Sequence, residues 1–75
     1  MKVHITLEPA VRNDPAAKTR ALERLENEAG VRDVNRKRFD RYGIVTGEVD
    51  EHKLDEVRRI IGVKAVEADE QRFAT

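Results

Sequence analysis

Cysteine and serine are both absent from this 75-residue chain. Lacking cysteine, it has neither disulfides nor thiol chemistry, and its small core gets no covalent help. With serine missing too, the usual nucleophiles are gone. Glycine is scarce, and Gly30, Gly43, Gly47 and Gly62 are each accounted for by a helix stop, a turn or a bulge, so no phosphate-cradling glycine loop is present. There is no run of eighteen apolar residues, and Met1-Lys2 opens into alternating residues rather than an apolar leader. A cytoplasmic location is the expectation. An excess of one charge is missing as well: fifteen basic and fifteen acidic residues cancel, so net charge implies neither nucleic acid nor an anionic membrane. The two histidines, His4 and His52, have no spacing that suggests shared metal ligation. Neither a cofactor nor a metal is expected, and enzyme activity is not.

What is present is 39% hydrophobic and 40% charged residues, enough apolar material for one domain spanning residues 1–75. A chain of this size buries roughly 60% of its unfolded surface, a marginal core. Val3, Ile5 and Leu7 alternate with Lys2, His4 and Thr6, the period of a strand buried on one face. Pro9 ends that ladder. Asp14 followed by Pro15 is an N-cap with proline in the first turn, and Ala17, Ala21, Leu22, Leu25 and Ala29 continue at helical spacing until Gly30 stops the helix. On its outer face Glu23, Glu26 and Glu28 are expected to pair with Arg20 and Arg24.

Residues 31–39 read as a strand with a bulge or irregular start before Arg36, because Val31 and Val34 do not share a strand face. Phe39 to Gly43 reads as a turn, and Ile44 to Val49 as the partner strand of a hairpin, in which Gly47 marks a bulge or a close backbone approach. Asp50 is placed as the cap of a second helix with Leu54, Val57, Ile60 and Ile61 as its stripe and Gly62 as its stop. The closing strand begins at Val63. In it Val66 and Ala68 point one way, Glu67 and Asp69 the other, and Glu70 to Thr75 follow as an extended polar tail.

The order β-α-β-β-α-β predicts an α+β, ferredoxin-like sandwich: a four-stranded antiparallel sheet with two helices on one face. Val3, Ile5, Leu7, Leu22, Leu25, Leu54, Val57, Ile61 and Val66 are the expected core. The other sheet face is then uncovered and carries His4, Thr6, Glu67 and Asp69, which water or a partner protein would meet. The cluster Arg32, Arg36, Lys37, Arg38 and Arg41, with Phe39 and Tyr42, is the local charge excess. It could grip phosphates and stack a base, making the domain an RNA-binding module. The preferred reading is a charged edge strand that discourages aggregation, since Asp33 and Asp40 interrupt the cluster; nucleic acid is not the expected partner.

The block YGIVTGEV, the helix HKLDEVRRI and then GVKAVEAD, from Tyr42 to Asp69, resembles the closing half of the subtilisin propeptide-like inhibitor family. The opening VHITL strand and the helix ending in Ala29 and Gly30 are similar to its first half, so the likeness spans essentially the whole chain. The resemblance implies a proteinaceous inhibitor, or a propeptide-like folding template, of a subtilisin-like serine protease. It implies that the bare sheet face packs on two surface helices of the protease, with Glu67 and Asp69 capping their N-termini. It further implies that Arg72, Phe73, Ala74 and Thr75 lie product-like along the active-site cleft, Thr75 nearest the catalytic serine, and that the free domain is a monomer. Arg72 departs from the pattern, because that subsite usually takes an apolar side chain. The absence of an apolar leader favours the free-standing inhibitor over the template.

A second resemblance leads elsewhere. The opening strand followed by PAVRNDP and a helix, Val3 to Leu25, also looks like the small subunit of formylglycinamidine synthase, a non-catalytic subunit of a purine-biosynthetic amidotransferase complex. That reading implies a stable dimer in solution.

Overall fold

Val3, Ile5 and Leu7 are wholly buried while Lys2, His4 and Thr6 between them are not, and this alternation builds the central strand β1 (Lys2–Leu7). The computed structural model describes residues 1–68. Within them β1 is flanked by β2 (Ile44–Glu48) on one side and β3 (Val63–Ala68) on the other, both antiparallel, giving a three-stranded sheet in the order β2-β1-β3.

The first long helix forms where the sequence places it. After Pro9 a single turn, α1 (Pro9–Arg12), leads to α2 (Pro15–Asn27), and the Asp14 carboxylate accepts from the Ala16 and Ala17 N–H groups at 3.0 and 3.4 Å. These are two of the four donors a helix start leaves without partners. At its other end Gly30 turns left-handed at φ 72°, and the Val31 N–H closes back onto the Leu25 carbonyl at 3.1 Å. Ala21, Leu22 and Leu25 face the sheet and are buried. The expected pairs of Arg20 and Arg24 with this helix's glutamates are not formed among the described residues; Glu26 instead holds Arg36 at 3.0 Å.

The predicted strand over residues 31–39 is where the molecule departs from expectation. Arg32 makes one bridge to the outer edge of β2, its N–H and carbonyl both bonded to Glu48 at 2.7 Å, and the Asn35 N–H reaches the Thr46 carbonyl at 3.0 Å. Between those contacts Asp33 adopts φ 54°, an unusual conformation for a residue with a Cβ, and the ladder breaks there. The irregular start before Arg36 is therefore real, but no strand follows it. Instead the chain coils into α3 (Arg36–Tyr42), so Phe39 to Tyr42 close a helix rather than form a turn.

Two residues bracket that helix. The Asn35 side chain accepts from the Arg38 N–H at 3.0 Å, and Gly43 at φ 68° donates to the Phe39 carbonyl at 2.9 Å. Three consecutive long cations have no alternation with which to choose sheet faces. Coiled, they all reach water while Phe39 alone turns inward to 5% exposure. The hairpin and the four-stranded sheet consequently do not form among the described residues; the α+β class does.

Gly47 does mark a close approach. A Cβ built there would lie 2.5 Å from the Arg32 carbonyl oxygen and 3.1 Å from a Val31 methyl, so only glycine lets the Arg32 segment seat on β2. After Asp50 comes a 3₁₀ turn, Glu51–Lys53, which Asp50 precedes without a side-chain cap bond, and then α4 (Leu54–Arg59). The stripe of α4 buries Val57 and Ile60 but not Ile61, which is 76% exposed. Backbone extension at Ile60 (ψ 129°) ends the helical period and turns the next side chain outward, correcting the expected place of Ile61 in the core. Leu54 and Val66 pack on the core only partly buried, and Ala21, Ala29, Val31, Phe39, Val45, Val49 and Ile60 complete it. Among the described residues no helix is long and apolar enough to cross a membrane.

Candidate docking face

The side chains of the sheet divide cleanly between two faces. Val3, Ile5 and Leu7 lie with Val45 against the buried residues of α2, α3 and α4 in one cluster, and register fixes what lies on the other side. Lys2 stands opposite Glu48; His4 stands between Thr46 and Glu67; Thr6 stands between Ile44 and Ala65. Cross-strand neighbours of this kind have Cβ atoms roughly 5 Å apart, so these eight residues form one continuous surface. No helix among the described residues packs over it, since the buried side chains of α2, α3 and α4 all join the core on the opposite face.

The phase of β3 on this face depends on a local irregularity. Thr6 pairs with Ala65 but Leu7 pairs with Val63, so Lys64 is an extra residue at the bulge, and the Glu8 N–H holds the strand start by bonding the Gly62 carbonyl at 2.7 Å. From Ala65 on, β3 runs in step with β1. Val66 therefore turns to the core while Glu67 stands exposed on the open face beside His4. The face mixes one exposed carboxylate with half-buried threonines and an isoleucine, and Thr46 Oγ1 is buried without a hydrogen-bond partner among the described residues. Such a surface can meet another protein through apolar contact and through the exposed Lys2 and Glu67 side chains, whereas the buried Thr46 oxygen is out of reach.

Of the residues singled out from the sequence, His4, Thr6 and Glu67 are brought together here. Asp69, Arg72, Phe73, Ala74 and Thr75 lie outside the described residues. β3 pairs with β1 alone, leaving its outer edge open among the described residues, and residue 69 continues from it. His52 is exposed in the 3₁₀ turn, whereas His4 lies on β1. Among the described residues no three His, Asp or Glu side chains are grouped to hold a metal.

The basic cluster divides in two. Arg36 and Arg32 are held by Glu26 at 3.0 Å and Asp50 at 3.5 Å. Lys37, Arg38 and Arg41 are exposed on α3, with Tyr42 57% exposed beside them. A strand reading could not show this helical face, although its signal was present as an Asn35 cap and a Gly43 stop bracketing seven residues. No protein-family model, curated protein or solved structure matches the chain.

Proposed function

We propose that the chain is a proteinaceous inhibitor of a subtilisin-like serine protease, built on a ferredoxin-like plan whose second strand is reduced to the Arg32–Glu48 bridge. The strand order supports that plan: the bridge lies on the outer edge of β2, giving four antiparallel positions with β1 and β2 in the middle. The observation that carries the functional reading is Glu67. It is exposed on a face that no helix covers and on a strand with one open edge, both among the described residues, and residues 69–75 follow that strand in sequence.

On this reading Glu67, and Asp69 two residues on, supply carboxylates to the N-termini of two protease helices, where unpaired N–H groups and the positive dipole end favour them. Arg72, Phe73, Ala74 and Thr75 lie in the cleft as an added strand, held through main-chain hydrogen bonds. Inhibition is by occupancy and requires no chemistry from the domain itself.

The test is a titration of a broad-specificity subtilisin, following hydrolysis of a chromogenic peptide, with the full chain, a chain lacking Arg72 to Thr75, and Glu67→Ala. Competitive inhibition that vanishes on truncation is expected. Glu67→Ala should weaken it by roughly two- to fivefold, for a carboxylate at a helix terminus worth about 0.3–1 kcal/mol. No inhibition by intact chain at high micromolar excess would overturn the reading for this protease class. A stable dimer in sedimentation, found together with that result, would move the complex-subunit reading to the front.

A further inference from the structure

We infer that the outer face of α3 is a docking surface for single-stranded nucleic acid, separate from the sheet face and independent of the inhibitor reading. Helical spacing sets which side chains of α3 face outward. Phe39 points into the core, and at about 100° per residue Lys37 and Arg41 point directly away from it, with Arg38 and Tyr42 next to them on one flank. Four successive positions around this arc are thus three cations and one aromatic ring. Asp40 and Arg36 fall on the other flank, where Arg36 is paired with Glu26 and the Asp40 carbonyl accepts from Lys18 Nζ at 3.1 Å.

Of the two acids that interrupt the cluster in sequence, Asp33 precedes the helix and Asp40 stands at the margin of the arc, about 60° round from Lys37, where it lines the edge of the same depression. Lys37, Arg38 and Arg41 make no ion pair among the described residues. An open depression of about 800 Å³ is lined by Asn35, Lys37, Arg38, Asp40, Arg41 and Tyr42. The helix that carries it packs on β2, at the opposite edge of the sheet from β3.

The chemistry of this arc selects the partner. Three exposed cations within one and a half turns match successive phosphates of a flexible backbone. An acidic peptide would satisfy the same cations but would leave Tyr42 without a role. Tyr42, 57% exposed, ends the helix just before the Gly43 stop, one turn on from Arg38, and an unpaired base can stack on an exposed ring of this kind. Duplex bases, already stacked on one another, cannot use it.

The measurement is fluorescence anisotropy of a labelled twenty-nucleotide oligouridylate with the full chain, alongside oligothymidylate, a duplex of equal length and polyglutamate as competitor. Binding of the single strands is expected, with affinity falling about twentyfold between 50 and 200 mM salt if all three cations meet phosphates, from a slope of about −0.7 per contact. Tyr42→Ala should weaken binding at least about fivefold and Tyr42→Phe should not, because stacking needs only the ring. Arg38→Ala combined with Arg41→Ala should reduce the salt slope by about 1.4. Far-ultraviolet circular dichroism of each variant verifies that it is folded. The inference is overturned if the single strands do not bind at 50 mM salt, if duplex binds as well as single strand, if polyglutamate competes as well as unlabelled oligouridylate, or if folded Tyr42→Ala binds like wild type.

Discussion

Replacing Gly47 with alanine tests how the reduced strand is held. The new methyl carbon would stand 2.5 Å from the Arg32 carbonyl oxygen, about 0.9 Å inside the 3.4 Å at which ordinary contact begins. The obstacle is backbone, so it cannot swing aside like a side-chain tip. A retreat of that size along the bonds would stretch the two 2.7 Å hydrogen bonds between Arg32 and Glu48 towards 3.6 Å, where they cease to count. At about 0.5–1.5 kcal/mol each they represent roughly 1–3 kcal/mol. Val31, 4% exposed and 3.1 Å from the same methyl, must also shift, adding roughly 1 kcal/mol of lost packing. Opposing this, alanine restricts the unfolded chain and returns about 0.4–1 kcal/mol. The net expectation is destabilisation of roughly 1.5–3 kcal/mol. In a domain of this size that lowers the midpoint of thermal unfolding by roughly 6–24 °C, at about 4–8 °C per kcal/mol. Urea unfolding followed by circular dichroism gives the free energy directly. A Gly47→Ala protein as stable as wild type or more stable would refute the close approach, and with it the seating of Arg32 on β2.

Four further substitutions probe neighbouring claims. Asp33→Val should destabilise by about 1–2 kcal/mol, because a β-branched side chain is forced to φ 54°; a regular strand through residue 33 would instead make valine neutral or favourable, so urea midpoints decide between them. Asn35→Ala should cost about 1 kcal/mol through loss of the cap on the Arg38 N–H, and hydrogen exchange should show faster amides in α3 with α2 unchanged. Ile60→Ala should cost roughly 2–5 kcal/mol and Ile61→Ala less than about 0.5, adjacent isoleucines at 7% and 76% exposure; similar losses of stability at the two sites would contradict the end of α4 at this point.

Much of the molecule was legible residue by residue. Alternation at Val3, Ile5 and Leu7, the Asp14-Pro15 start and Gly30 stop of α2, the close approach at Gly47, and the division of Glu67 from Val66 on the closing strand are all properties of neighbours in sequence. Local sterics and side-chain capping act over a few residues, so the sequence carries them openly. The same reasoning located Glu67 on the face opposite the core, because a period of two leaves no other place for it once Val66 is inside.

The segment 31–43 depended on the whole. Taken alone, its cations and aromatics suit a charged edge strand as well as a helix, and nothing local says that Phe39 finds a buried site between α2 and the sheet, with the Lys18 ammonium 4.8 Å from its ring centre. Tertiary packing supplied that site and tipped Arg36 to Tyr42 into a helix, whose outward face exists only because its inward one is filled. Ile60 and Ile61 make the same point on a smaller scale. Sequence determined that an apolar pair ends the second helical stretch; only the turn of the chain into β3, fixed by pairing with β1, decided which of the two is buried, since one extended residue rotates the next side chain out of the stripe.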